Sequence, residues 1–151
     1  EAFALEAVAL GLGACWLAMF RKSAVDMELN PSERVLAVIA LGVPAEEDIR
    51  ERRRKPLSEL CTTDPTRWPI YAFHAAECMR AAPSAMNRQP WRLSYAGRTL
   101  LLSRKLGAGD LDMGIALLHL SLGVGEKKHL IRWGEGREVA TLFVEDEHDA
   151  V

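Results

Sequence analysis

The order of apolar and polar residues at the start of the 151-residue chain predicts a helix that ends at glycine. The run 2–20 carries a single charge, and Gly11 and Gly13 lie inside it. Glycine is favoured just past a helix C-terminus, so the pattern predicts a buried core helix over residues 1–13. The length of the run is also compatible with a membrane span, which needs about 20 apolar residues. The glycines favour the core helix.

Further along the chain, three segments predict helices. The first is a short helix over residues 21–29, and the second covers residues 70–82. Pro83 ends the second, because proline cannot donate to the helical hydrogen-bond ladder. Residues 112–122 predict another apolar helix.

Strands are predicted where β-branched and apolar residues form short runs between turn residues. One run covers residues 34–41, and a hairpin is predicted from residues 91–95 and 99–103 around Ala96 and Gly97. Residues 139–145 predict a final strand. Because helices and strands are mixed and a hairpin is included, the predicted fold class is α+β with an antiparallel or mixed sheet flanked by helices.

The remaining segments are polar connections. Residues 45–60 are strongly charged and predict an exposed turn of helix or an arm, and residues 61–69 predict a connector. Within the former, the run 50–55 holds five cations in six positions, for which a solvated helix face is the ordinary explanation.

Composition narrows the class of function. The net charge is −2, which argues against a globally basic nucleic-acid-binding protein. Three widely spaced cysteines form no CxxC pair, so a reduced, cytoplasmic setting is expected rather than a disulfide framework. Four histidines show no paired-ligand spacing, and no metal site is predicted.

An internal repeat links two apolar segments. Residues 3–13 align with residues 115–125 at a constant offset of 112, and both end in Gly-x-Gly. Downstream, residues 35–40 have a counterpart in residues 139–144. The alternative is chance similarity between two Ala- and Leu-rich segments.

The segment between Pro83 and Pro90 is the strongest candidate for a binding site. It contains Ser84, Asn87 and Gln89, whose side chains both donate and accept hydrogen bonds. Such a loop can hold a planar polar heterocycle. The alternative is a loop after a helix whose polar side chains satisfy local backbone groups.

Three motifs resemble those of one family. The sequence PSAMNRQPW at residues 83–91 resembles the PSxxNxQPW segment of nitroreductase-like flavoproteins, GLGACW at 11–16 their GLGxxW turn, and RKPL at 54–57 their RKPL stretch. The order of the motifs is similar to that of the subfamily in which two nitroreductase-like halves are fused into a pseudo-dimer. The resemblance implies that residues 1–60 end the first half and residues 61–151 form the second. It also implies that the chain, which begins with Glu, lacks the N-terminal part.

The resemblance also implies an FMN site. Loop residues would contact the flavin, the glycine turn would pass close to the isoalloxazine ring, and Arg54 with Lys55 would neutralise the phosphate. Trp16 and Trp91 are expected to pack beneath the site. The implied cofactor-binding residues are Gly11, Leu12, Gly13, Arg54, Lys55, Pro83, Ser84, Ala85, Asn87 and Gln89.

The sequence departs from the family pattern at two motifs, and the second copy of its repeat is degenerate. The N-terminal RxSxR clamp of the family is absent, and its WxG reads Trp16-Leu-Ala18 here. The second copy of the repeat has Gly125-Glu-Lys-Lys128 and no RKPL. We therefore expect one flavin for each fused chain.

The expected function is that of an FMN-dependent oxidoreductase. It would take hydride from NADH or NADPH and reduce nitroaromatic, quinone-like or related small-molecule acceptors, with no catalytic acid, base or nucleophile nominated. Neither nucleic acid nor a membrane is an expected partner. The alternative is a non-catalytic flavin-binding or structural protein that retains the fold.

Overall fold

A computed structural model describes residues 1–21, 23, 25–45 and 53–145 of the chain. The chain divides into two compact units, Glu1–Arg52 and Arg53–Val151. Part of the predicted arm over residues 45–60, namely residues 46–52, lies outside the described residues. Its described part contains one helical turn, α2 (Leu57–Leu60).

The first unit contains one helix and one pair of strands. Helix α1 (Ala2–Ala9) is followed by strand β1 (Gly13–Leu17), which pairs antiparallel with β2 (Val38–Gly42). Gly11 adopts a φ of 82°, a left-handed conformation that glycine reaches without steric cost, so the chain can turn from the helix into the strand.

The prediction of the first helix is right in type and wrong in extent. The first helix ends at Ala9 rather than at residue 13, because the left-handed Gly11 breaks the helix and Gly13 already pairs in β1. The expected burial is also wrong, since Phe3 is 65% exposed and Ala4 and Ala7 are the buried positions of α1.

No α-helix forms among the described residues of the segment predicted as helical, 21–29. A turn follows that segment, since Glu33 N donates to the carbonyl of Asn30 at 2.9 Å. The strand predicted for residues 34–41 is confined to β2, where pairing with β1 supplies the backbone partners.

The second unit is built on a four-stranded antiparallel sheet. Its strands are β3 (Trp91–Ala96), β4 (Thr99–Arg104), β5 (His129–Trp133) and β6 (Glu138–Val144), in the order β3-β4-β6-β5. The predicted hairpin and final strand are confirmed. Gly97 and Arg98 both have positive φ, 48° and 70°, as a tight two-residue hairpin turn requires.

Two long helices complete this unit and confirm the predicted ones. They are α3 (Ile70–Ala81) and α4 (Asp110–Gly123). Gly123 allows their close approach, because a Cβ there would lie 2.6 Å from the Cα of Ala75. The core between helices and sheet is apolar, and its largest fully buried side chains include Trp91, Leu93, Leu100, Leu102, Met79, Met113, Leu120 and Leu142. The structure is therefore α+β, as predicted.

The glycines of the predicted repeat differ in backbone conformation. The offset of 112 pairs Gly11 with Gly123, but Gly123 ends helix α4 whereas Gly11 lies beyond α1. The left-handed glycine after α4 is Gly125, with a φ of 75°. In both units a helix and a left-handed glycine are nevertheless followed by two antiparallel strands.

Within the described ranges, no helix has the length and apolar character needed to cross a membrane. The apolar run at the start of the chain contains only the eight-residue α1 and the strand β1.

Candidate functional site

The loop from Pro83 to Pro90 connects α3 to β3 and has an unusual backbone. Left-handed φ values of 52°, 54° and 47° occur at Met86, Asn87 and Gln89, none of which is glycine. This conformation costs an L-residue about 1–2 kcal/mol. It persists only where surrounding interactions impose it, and such strain is concentrated at functional sites.

Gln89 supplies one of these interactions from inside the protein. The residue is 1% exposed, and its side-chain Oε1 accepts a hydrogen bond from Lys55 N at 2.8 Å. Its Nε2 donates to the carbonyl of Arg80 at 3.0 Å, and its backbone N donates to Ser84 Oγ at 2.9 Å. Gln89 therefore ties the loop to the segment before α2 and to the end of α3.

Arg54 and Asn87 form a second connection. Arg54 Nη1 donates to Asn87 Oδ1 at 2.6 Å, and Nη2 donates to the carbonyl of Ala81 at 2.8 Å. Asn87 Nδ2 in turn donates to the carbonyl of Arg53 at 2.8 Å. The structure thus brings together two motifs that the sequence analysis assigned to one site.

Asp112 anchors the beginning of the loop and was not among the predicted site residues. Its Oδ1 accepts a hydrogen bond from Ala85 N at 2.9 Å. Asp112 lies in the first turn of α4, where a carboxylate also favours the positive end of the helix dipole. The sequence shows an acidic residue at the start of a predicted helix, but it does not show that this residue binds the backbone of the loop.

Two lysines lie on the side of the loop next to α2. Lys55 Nζ donates to the carbonyl of Arg88 at 2.5 Å, and Lys105 Nζ donates to the carbonyl of Glu59 at 3.3 Å. The pKa of Lys105 is lowered from its ordinary value, first by partial burial and then by the positive charges of Lys55 and Arg92.

Trp91 follows the loop and is completely buried. Its Nε1 has no hydrogen-bond partner in the described part of the chain. The side chain therefore packs in the core, as expected from the sequence, and its Nε1 is an unused donor among the described residues.

The glycine turn belongs to the first unit. Gly11 is exposed and Leu12 N donates to the carbonyl of Ala7 at 2.9 Å, so the amide of Leu12 already has a partner. Gly13 begins β1.

A cleft of about 660 Å³ lies beside α3 in the second unit. Its lining includes Cys61, Phe73, Glu77 and Arg80, and Glu77 accepts an ion-paired hydrogen bond from Arg80 at 2.7 Å. Burial, reinforced by the charge of Glu77, raises the pKa of Cys61 to about 11. The thiol is therefore protonated at neutral pH and is a poor nucleophile.

In the part of the chain that the structure describes, no cluster of three or more His, Cys, Asp or Glu side chains could hold a metal ion. The side chains of Ser84, Asn87 and Gln89, with the cations Arg54 and Lys55, are of the types that suit organic and anionic ligands.

The antiparallel sheet and the helices make this an α+β protein, and its fold matches that of a nitroreductase-like structure. A sequence model of the family described as "putative TM nitroreductase" matches residues 1–124, so the chain belongs to that family.

A solved structure supports the assignment. It is described as the crystal structure of a putative nitroreductase from Thermotoga maritima MSB8, with a TM-score of 0.73 and 29% sequence identity. The match covers 93% of this chain and 59% of the Thermotoga protein, so the chain spans less than two thirds of that neighbour. No curated protein sequence matches the chain.

Proposed function

We propose that this chain is part of an FMN-dependent oxidoreductase. It would take hydride from NADH or NADPH and reduce nitroaromatic, quinone-like or related small-molecule acceptors. Family membership supports the oxidoreductase class. The observation that carries the flavin assignment is the junction of the RKPL and PSxxNxQPW segments through the Arg54–Asn87 and Lys55–Gln89 hydrogen bonds.

The chemistry of the donors fits a phosphorylated flavin in part. Lys55 and Lys105 place positive charge beside the loop, which suits a phosphate. Ser84 Oγ accepts from Gln89 N and keeps its O–H as a donor towards a ligand. FMN, when bound, would supply the hydride-accepting and electron-transferring chemistry.

Other loop groups have internal partners, which changes their proposed roles. Both ends of the Asn87 and Gln89 amides are engaged within the protein, and Ala85 N is bonded to Asp112. We therefore assign Asn87 and Gln89 to positioning the loop, together with Arg54. Pro83, Ser84 and Lys55 remain the proposed flavin contacts of this unit.

The glycine turn at residues 11–13 keeps its proposed place near the flavin ring. The exposed Gly11 carries no side chain that would obstruct a planar ligand. In this proposal, the two units are the end of one nitroreductase-like half and most of a second, together forming a pseudo-dimer. The shared order of helix, left-handed glycine and antiparallel strands supports the proposal of two related halves. A cytoplasmic location is part of the same proposal, since the three cysteines are free thiols.

A non-catalytic flavin-binding or structural role is the second candidate. The observation that favours it is the internal use of the loop amides, which leaves fewer hydrogen-bonding groups for a ligand.

A flavin titration followed by turnover tests both candidates. FMN fluorescence is followed as purified protein is added, and the loaded protein is then assayed for NAD(P)H oxidation with nitroaromatic and quinone acceptors. Saturable quenching with turnover supports the oxidoreductase, and quenching without turnover on any acceptor supports the second candidate. Absence of binding, in this chain and in one extended at its N-terminus, would contradict both flavin roles.

A further inference from the structure

A serine and a histidine are hydrogen-bonded to each other where α4 leads into β5. Ser121 lies in the last turn of α4, His129 is the first residue of β5, and Ser121 Oγ lies 2.7 Å from His129 Nε2. The other ring nitrogen, Nδ1, lies 3.1 Å from the carbonyl oxygen of Lys127. Two hydrogen bonds therefore connect a hydroxyl, an imidazole and a backbone carbonyl in series.

The carbonyl fixes the direction of both hydrogen bonds when the imidazole is neutral. A carbonyl oxygen can only accept, so Nδ1 carries the ring proton and donates to Lys127. Nε2 is then the unprotonated nitrogen, and it accepts from the hydroxyl of Ser121. In this arrangement an imidazole can take the proton of a serine hydroxyl while the hydroxyl oxygen attacks an electrophile.

The succession of elements around the pair does not itself require a serine or a histidine. In the first unit, α1 is likewise followed by a left-handed glycine and a strand, and neither α1 nor β1 contains either residue type. Within the described residues, the side chains of Ser121 and His129 have no hydrogen-bond partners other than those named above. The pair therefore brings a chemistry that this part of the fold does not demand.

A small molecule can reach the pair. Ser121 and His129 are both half-buried, and the neighbouring Leu122 and Leu130 are exposed. Gly125, in the turn between α4 and β5, has open space where a Cβ would lie. A short acyl group therefore approaches Ser121 Oγ with less obstruction than a long one.

We propose that Ser121 and His129 form a nucleophile–base pair that hydrolyses activated esters of short carboxylic acids. Ser121 is the nucleophile, His129 is the base, and the carbonyl of Lys127 positions the ring. This activity is independent of the proposed flavin chemistry. Because the positioning group is an uncharged carbonyl, it stabilises the imidazolium less than the aspartate of a Ser-His-Asp triad does, so the substrates are esters with a good leaving group.

The reaction needs only the ester and water, and nothing is oxidised or reduced. Ser121 Oγ bonds to the acyl carbon while its proton passes to His129 Nε2. The bond between the acyl carbon and the leaving oxygen then breaks, and that oxygen takes the proton from Nε2 and departs as an alcohol or phenol. Water next attacks the acyl carbon and gives a proton to Nε2, which returns it to Ser121 Oγ as the carboxylic acid leaves.

The experiment uses p-nitrophenyl acetate, because p-nitrophenol is a good leaving group and the acetyl group is small. Absorbance follows the release of p-nitrophenol by the wild type, Ser121→Ala and His129→Gln. The matched controls, Ser94→Ala in β3 and His74→Gln in α3, change the same residue types elsewhere in the second unit. Mass spectrometry of peptides locates the acetyl group, and far-UV circular dichroism with urea midpoints establishes that every variant is folded.

We expect the wild type and both controls to release p-nitrophenol at equal rates and to carry the acetyl group on Ser121. Ser121→Ala and His129→Gln should each slow the release about 100-fold or more, which is the usual contribution of a positioned general base. Release by the wild type no faster than in buffer would overturn the proposal. Acetylation of the wild type on lysine or cysteine alone would overturn it as well.

Two further results separate catalysis from a structural role of the histidine. If His129→Gln is folded and Ser121 is acetylated as fast as in the wild type, the histidine is not a base and the proposal fails. A fluorophosphonate reagent, which loses fluoride on bonding to an activated serine, gives a second measurement that needs no variant. It should modify Ser121 in the wild type, and modification of other residues only would contradict the assignment.

Discussion

The guanidinium of Arg54 is hydrogen-bonded to the side-chain carbonyl of Asn87 at 2.6 Å, although 33 positions separate the two residues in the chain. Asn87 Nδ2 donates to the carbonyl of Arg53 at 2.8 Å, so Asn87 is bonded to two consecutive residues of the segment before α2. This pair holds a left-handed residue at the centre of the loop. The contact makes the shape of the loop dependent on a distant segment.

Replacing Asn87 should therefore separate two contributions to the free energy of unfolding, the loss of hydrogen bonds and the strain of the left-handed backbone. Asn87→Ala should lower the free energy of unfolding by about 2–4 kcal/mol, because it removes hydrogen bonds and leaves an alanine in a left-handed conformation. Asn87→Gly loses the same bonds but tolerates the positive φ, and should cost about 1 kcal/mol less. Urea unfolding measures both values. Equal losses in the two variants would show that the backbone strain is not stored at this residue.

Burial of Gln89 predicts a large effect from a substitution of similar size. Gln89→Leu should lower the free energy of unfolding by about 2–4 kcal/mol, since Lys55 N and the carbonyl of Arg80 lose their partners. Ser84→Ala removes only the acceptor of Gln89 N and should cost about 1 kcal/mol. Chemical denaturation of both variants provides the test. A Leu variant as stable as the wild type would mean that water satisfies the exposed backbone groups.

Two glycines of α4 should respond in opposite directions to the same substitution. Gly123→Ala should destabilise the chain by about 1–3 kcal/mol, because its Cβ would lie 2.6 Å from Ala75 Cα and 2.8 Å from Cys78 Cβ. Gly114→Ala has open space around the new Cβ and should stabilise by about 0.5–1 kcal/mol through helix propensity. Thermal and urea unfolding report both signs. A stable Gly123→Ala variant would contradict the close packing of α3 against α4.

Cys61 predicts a dependence of stability on alkaline pH. Its pKa is about 11 in the folded chain, above the ordinary value of 9.0, so the unfolded chain loses the thiol proton first. The stabilisation that comes from keeping this thiol protonated in the folded chain is fully present below pH 9. The free energy of unfolding should fall by about 2 kcal/mol as pH rises to 11. Comparison with Cys61→Ala isolates this group from other titrating residues. Parallel pH profiles for the two proteins would refute the prediction.

The elements that sequence predicted best are those with several agreeing signals. Helix α3 has an apolar pattern and a proline directly after it, and the β3–β4 hairpin has two apolar runs around a glycine turn. Strand β5 was missed, because four of its five residues are exposed and no alternation marks an inner face. The helix predicted at residues 21–29 does not form among the described residues of that segment, whose side chains are mostly exposed.

The loop at residues 83–90 was recognised in sequence, but its internal bonds were not. Spacing cannot show that Arg54 lies at Asn87, because the contact depends on how the segment before α2 runs beside α3. Left-handed φ values at Met86, Asn87 and Gln89 are equally hidden, since none of these residues is glycine. The roles of individual amides therefore required the three-dimensional arrangement.

The anchors of this loop come from segments that are far apart in the chain, and this has a consequence for folding. Arg54 precedes Asn87 by 33 residues, and Asp112 follows Ala85 by 27. The loop can reach its final shape only after α3, α4 and the segment before α2 have assembled. We expect a partly folded chain to be rich in helix while having no affinity for a ligand of this loop, so that ligand capture marks completion of folding rather than its onset.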